Sequence, residues 1–274
     1  MIPFLPNPWE SAGLPDEEFP AGQPETAQFT ASEGFRLSDL MAQALFAGRK
    51  AKNANMDALR SAKEREAAGD IADYILEDTG WGRGRDRHWR WEISDDTSKF
   101  TRGGRTLGES LHHPELHANY DIADIPIVYN DRLPRGHAAY YQSGSGGPER
   151  IELSPHSTDD ELHSNLIHEV QHVIQNREGF SPGTGPDWMR RQIARVGRLG
   201  PFGPEEALGV YNMIAGEVEA QTAAKRLDML PADRLRVSPW NDEPIARERQ
   251  IVLERSRDGS TLPIPFPKPP VFFE

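Results

Sequence analysis

His168-Glu169-Val170-Gln171-His172 lies inside a stretch whose apolar residues recur at steps of three and four. Leu162, Leu166, Ile167, Val170, Val173 and Ile174 define that face, and the spacing predicts a helix. Ser157 or Thr158 is placed to cap its start. Asp159-Asp160-Glu161 puts negative charge in the first turn, where the helix dipole favours it. Gly179 is a stop signal, and Ser181-Pro182-Gly183-Thr184-Gly185-Pro186 then breaks the chain. Residues four apart stand one turn above each other on one helical face, so both imidazoles can reach a single ion. Glu169 is rotated off that line. It can act as general base on a water activated by the ion without being a ligand. The plainer alternative is a core helix with two hydrogen-bonded histidines.

Two His ligands and an adjacent carboxylate base, as H-E-x-x-H on a helix, suit Zn²⁺. The chain has no cysteine, so histidine and carboxylate are the strong zinc ligands left to it. A third ligand supplied through a glycine turn just past the second His would need Gly at 175, and Gln175 stands there. The helix should therefore continue, leaving Glu178 roughly 9 Å of rise beyond His172 and out of reach. A second predicted helix, Tyr211 to Leu227, is the better source. Ala215, Gly216 and Ala220 are small and permit close approach to a neighbouring helix. Glu217 and Glu219 are two apart and point to roughly opposite sides, so only one can face the metal. Glu217, on the side of Ile214, Ala220 and Ala224, is preferred, with Glu219 the alternative third ligand. Either could instead be a surface carboxylate paired with Lys225 or Arg226. Tyr211, His163 and Arg177 are candidates to stabilise an oxyanion or contact substrate, although each also reads as an ordinary packing or surface residue. His113-Pro114-Glu115-Leu116-His117 also reads H-x-E-x-H. Pro114 should open a helix there, leaving His113 outside it and the pair badly placed to share an ion.

Several ordered segments carry a family resemblance. They are Thr79-Gly80-Trp81-Gly82-Arg83-Gly84 leading to Trp89-Arg90-Trp91-Glu92-Ile93, His113-Pro114-Glu115-Leu116, the stretch Leu166 to Gln175 with Glu178-Gly179-Phe180, Ala215-Gly216-Glu217-Val218-Glu219-Ala220, and a tail from Glu243-Pro244 to Gln250-Ile251-Val252. Across about residues 36 to 255 the chain resembles the zincin-like "large polyvalent protein associated" domains of phage and conjugative elements. His117, Asn119 and Gln221 depart from the pattern, away from the proposed ligands. The resemblance implies a metallopeptidase-like module acting on peptide or protein substrates, associated with proteins that enter a host with phage or plasmid DNA.

The expected fold is α+β and zincin-like. A small antiparallel sheet would pack on the H-E-x-x-H helix and on the second, Glu-bearing helix. Residues 1–34 read as an extended Pro-rich arm, 35–255 as the metallopeptidase domain (35–105 a helical and hairpin subregion, 106–255 the catalytic core), and 256–274 as a second Pro-rich arm. Helices are expected over 36–47 and 54–78, with Met56, Leu59, Ala67, Ile71, Ile75 and Leu76 as a buried stripe. A Trp-bearing hairpin with its turn at Gly82 to Asp86 follows, then a short helix pair over 107–119. Strands are expected at Ile125–Tyr129, Ala138–Gln142 and Arg150–Leu153, with an edge able to accept an extended peptide.

The net charge of −12 argues against broad nucleic-acid binding. One local exception is Arg83, Arg85, Arg87 and Arg90 among Trp81, Trp89 and Trp91, a composition that can hold single strands. The plainer reading is a hairpin with Trp89 and Trp91 on one face and Arg90 on the other. No apolar run approaches the ~20 residues of a spanning helix, and the first residues lack the pattern of a secretory signal. The expected setting is the bacterial cytoplasm or a virion. The alternative to an enzyme is a structural component of a phage particle or transfer apparatus, contacting other virion proteins through its Pro-rich arms and carrying a vestigial site.

Overall fold

A computed structural model describes residues 43–95, 97–142, 147–184, 209–227, 229, 237–255 and 261–262. The arms expected at 1–34 and 256–274 lie outside the described residues, apart from a two-residue strand, Thr261–Leu262, paired with Glu254–Arg255. The fold is α+β. No helix among the described residues is long and apolar enough to cross a membrane.

The first element corrects an expectation. Gln43–Ala47 (β1) is a strand, where a helix was expected over 36–47, and it pairs antiparallel with Trp89–Ser94 (β3). Leu45, Phe46 and Ala47 are all buried. A short run buried on both faces carries no periodicity that separates strand from helix. The helix expected over 54–78 is two helices, Met56–Ala68 (α1) and Ala72–Thr79 (α2). Gly69 ends α1 in the left-handed conformation at φ +90°, and its N–H returns to the Arg65 and Glu66 carbonyls. That break turns the stripe. Leu59 and Ile75 are buried together with Ala62 and Trp81, whereas Met56, Ala67 and Ile71 are exposed.

Gly82–Arg83 (β2) pairs with the start of β3, so the hairpin turn runs from Gly84 to His88, two residues later than expected. Trp91 Nε1 donates to the Gly48 carbonyl, and Trp81 Nε1 to the Asn55 carbonyl. Trp89 packs on the small α1–α2 core, with the Arg83 guanidinium stacked over its ring while also bonded to Glu66. These rings are engaged in packing rather than presented as a stacking platform.

Lys99–Phe100 (β4) pairs with Leu111–His112 (β5), which separates the two short helices Leu107–Ser110 (α3) and Pro114–Asn119 (α4). Pro114 opens α4, and His113 caps it by accepting the Leu116 N–H on Nδ1. His117 bonds the Leu111 carbonyl. Ile127–Tyr129 (β6), Ala138–Tyr141 (β7) and Arg150–Leu153 (β8) form a sheet in the order β6-β8-β7, parallel between β6 and β8 and antiparallel between β7 and β8. β7 is thus an edge strand, and it packs beside the long helix Asp159–Glu178 (α5).

Thr158 caps α5 through a capping box. The Thr158 hydroxyl accepts the Glu161 N–H at 3.3 Å, and the Glu161 carboxylate accepts the Thr158 N–H at 2.7 Å. Gly179 closes the helix at φ +81°. Leu162, Leu166, Ile167, Val170, Val173 and Ile174 are fully buried. They share one core with Leu45, Phe46, Ile93, Leu107, Ile151 and Ala223, so the residues on either side of position 105 have a common interior. The second predicted helix begins later than expected, at Ala215–Leu227 (α6). A turn at Asn212–Met213 and a parallel bridge between Ile214 and Ile251 precede it. The Ala215 N–H is held by the Ile251 carbonyl at 2.8 Å.

Candidate metal centre

α5 and α6 pack against each other, and their contact brings three side chains to one point. His168 and His172, four residues apart, have their Nε2 atoms 3.1 Å apart. Glu217 Oε2 lies 3.5 Å from each of them. Among the described residues this is the group of three whose ligand atoms lie close enough to hold an ion. The donor set suits zinc. Ligand atoms about 2.0–2.1 Å from a tetrahedral ion are separated by roughly 3.3 Å, and the observed separations of 3.1, 3.5 and 3.5 Å bracket that value.

Glu217 is held on both oxygens. Oε1 accepts the Thr184 N–H at 2.7 Å, and Oε2 accepts the Tyr211 hydroxyl at 2.6 Å. Burial alone would raise its carboxyl. His172 and His168 outweigh that and hold it well below the usual range. Burial would correspondingly lower His172, but the Glu217 carboxylate pushes it up to about 9.

Glu169 is buried, and burial pushes its carboxyl up. The neighbouring His168 and His172, and a backbone hydrogen bond from Tyr140 in β7, pull the other way. A carboxyl of raised affinity beside a metal-type cluster is the arrangement expected of a general base.

The remaining candidates fall elsewhere. Glu219, the alternative ligand, is buried and ion-paired to Arg90. It also accepts Gln171 Nε2 at 3.0 Å and Gln175 Nε2 at 3.1 Å. Arg226 engages Glu92 and Asp242 rather than either glutamate. His163 bonds Ser98 Oγ at 2.9 Å and stacks on Phe100. Arg177 is bidentate to Glu149 at 2.8 and 2.7 Å. Glu178 accepts the Lys50 N–H and the Tyr120 hydroxyl. Of the three donor candidates, Tyr211 is the one at the cluster.

Sequence reasoning missed Gly183 and the two glutamines, and it read Gly216 as admitting a neighbouring helix where the Pro182–Gly183 backbone packs. A Cβ at Gly183 would overlap His172 Cε1 and Glu217 Oε1, and one at Gly216 would overlap the Pro182 backbone. Gly183 and Thr184, in the segment read only as a chain break, therefore line the site. Gln175 Oε1 lies 2.8 Å from His172 Nδ1. The clue lay in Gln171 and Gln175, two polar residues that fall among the apolar positions of the buried side of α5.

The model of one protein family, described as large polyvalent protein associated domain 23, matches residues 44–101. The match covers β1, the α1–α2 pair and the hairpin, and stops before the H-E-x-x-H helix. No curated protein and no solved structure matches the chain.

Proposed function

We propose that this chain is a zinc-dependent peptide hydrolase with a zincin-like fold, of phage or mobile-element type. The observation that carries this reading is the triangle of His168 Nε2, His172 Nε2 and Glu217 Oε2, spaced at 3.1, 3.5 and 3.5 Å beside a buried glutamate. His168 and His172 would hold zinc as neutral imidazoles and Glu217 as a carboxylate. The chemistry supplied there would be Lewis acidity toward a peptide carbonyl and toward water near neutral pH.

The chain's residues do the remainder. Glu169 takes the proton from the attacking water onto its carboxylate. As the water oxygen bonds to the carbonyl carbon and the C–N bond breaks, Glu169 passes that proton to the leaving amine. Tyr211, whose hydroxyl donates to Glu217 Oε2 at 2.6 Å, holds the ligand carboxylate, and its one proton would have to swing off that oxygen to meet developing negative charge. The edge of β7, unpaired among the described strands and with its Tyr140 backbone toward Glu169, can align an extended peptide by strand addition.

The test is zinc content by elemental analysis beside a casein digest, for the parent and for Glu169→Gln and His168→Ala. The expected outcome is one zinc per chain in the parent and in Glu169→Gln, turnover in the parent alone, and loss of zinc in His168→Ala. Undiminished proteolysis by Glu169→Gln eliminates the mechanism, and unchanged zinc in His168→Ala eliminates the site.

A further inference from the structure

Residues 44–101 contribute no ligand to the triangle, yet they end in contact with it through a continuous chain of buried polar groups. Arg90, on β3, is 3% exposed. Its guanidinium is seated in a cradle. Asp86 accepts Nη1 at 2.7 Å and Nη2 at 3.0 Å, and the His88 carbonyl accepts Nη1 at 3.0 Å. The Phe180 ring lies beneath it with its centroid 3.9 Å away. Gly84 leaves the space it occupies, since a Cβ there would overlap Nη1. Asp86 is itself fixed by the Ser181 N–H at 2.6 Å. From this cradle Nε of Arg90 donates to Glu219 Oε2.

The other oxygen of Glu219 sets two amides at once. Gln171 and Gln175 both donate Nε2 to Oε1. The second Nε2 proton of Gln171 goes to the Phe46 carbonyl at 3.1 Å, and that of Gln175 to the Gly216 carbonyl at 2.8 Å. With both its N–H groups directed at acceptors, Gln175 has one orientation left, with Oε1 toward His172 Nδ1. An amide oxygen only accepts. His172 must therefore carry its proton on Nδ1 whenever Nε2 is free to bind an ion.

We infer that Arg90, Glu219 and Gln175 form a positioning relay for the metal centre, in which the 44–101 segment sets the ring orientation and tautomer of His172. This rests on the proposed metal site and adds the role of the family-matched segment in it. A buried salt bridge that only stabilised the fold would not need to terminate on a ligand. This one ends on the Nδ1 of an imidazole whose Nε2 faces the other two donors. Partners of this kind orient metal-bound histidines, and their loss typically lowers metal affinity ~10- to 100-fold.

The experiment compares zinc affinity, by chelator competition, in the full-length parent and in Gln175→Leu, which leaves the Arg90–Glu219 pair intact. We expect a loss of about 10- to 100-fold in Gln175→Leu, and a changed visible spectrum of the cobalt-substituted variant. In parallel, side-chain ¹⁵N–¹H correlation of the zinc-loaded parent should show a slowly exchanging proton on His172 Nδ1. This reading does not depend on any variant folding. Affinity in Gln175→Leu within twofold of the parent overturns the relay, as does zinc on Nδ1 with the proton on Nε2. A parent that takes up no zinc overturns the metal site and the relay together, so the two failures are distinguishable.

Discussion

The Tyr211 hydroxyl donates to Glu217 Oε2 at 2.6 Å, and that same oxygen lies 3.5 Å from both His168 Nε2 and His172 Nε2. One phenol thus holds the carboxylate that closes the triangle. Burial and the adjacent Glu217 push the Tyr211 hydroxyl pKa up, so it remains a donor across the working pH range.

Tyr211→Phe should therefore keep the fold and the metal but weaken both function and ligand geometry. We expect kcat/KM on a peptide substrate to fall about 10- to 100-fold, with zinc content near that of the parent. Steady-state kinetics with elemental analysis checks this. Unchanged kcat/KM would assign the hydroxyl a packing role alone.

Gly183→Ala should injure the site far more than the fold. The added methyl would overlap His172 Cε1 and Glu217 Oε1, and the loop from Ser181 to Thr184 must retreat to admit it. Retreat also withdraws the Thr184 N–H from Glu217. Zinc affinity should drop by at least about tenfold, while unfolding in urea shifts by no more than the ~1–3 kcal/mol typical of overpacking.

Arg90→Met should be strongly destabilising, because it leaves the buried carboxylates of Asp86 and Glu219 without their guanidinium. Removing one partner of a buried pair costs roughly 3–5 kcal/mol. The urea midpoint of the metal-free protein measures it. A shift equivalent to under about 1 kcal/mol would mean that water reaches this ion pair.

Glu243 predicts a pH dependence away from the metal. Burial raises its carboxyl to about 7, with Arg247 and Gln250 opposing and Glu219 adding to the rise. Below pH 4.5 the folded and unfolded states both hold the proton. Between there and pH 7 only the folded state does, so this group's contribution to stability falls as pH rises and is lowest above 7. Glu243→Gln removes that penalty while keeping an oxygen for Gln250. The variant should match the parent near pH 4.5 and exceed it by at most about 3.5 kcal/mol at pH 8, as read from urea unfolding at both pH values. A larger advantage at the acid end would reverse the assignment.

Local signals suffice to specify α5 and the face that carries His168 and His172. Thr158 with Glu161, the acidic first turn, the period of the apolar residues and Gly179 all act within a few residues of where they stand. Pro114 likewise removed His113 from its helix by local geometry alone. Other features depend on partners distant in the chain. β1 is a strand because β3, forty-odd residues away, supplies its hydrogen bonds. Glu217 rather than Glu219 meets the histidines because the rotation of α6 is set from outside it. Gly216 lets the Pro182–Gly183 backbone press against one side, and Arg90 captures Glu219 on the other. The small and apolar residues beside Glu217 favour it locally, but they do not fix the rotation that brings it to the histidines. The contacts that distinguish the two glutamates come from β3 and the loop after α5, and long-range contacts of that kind leave no periodic signature in the residues they join.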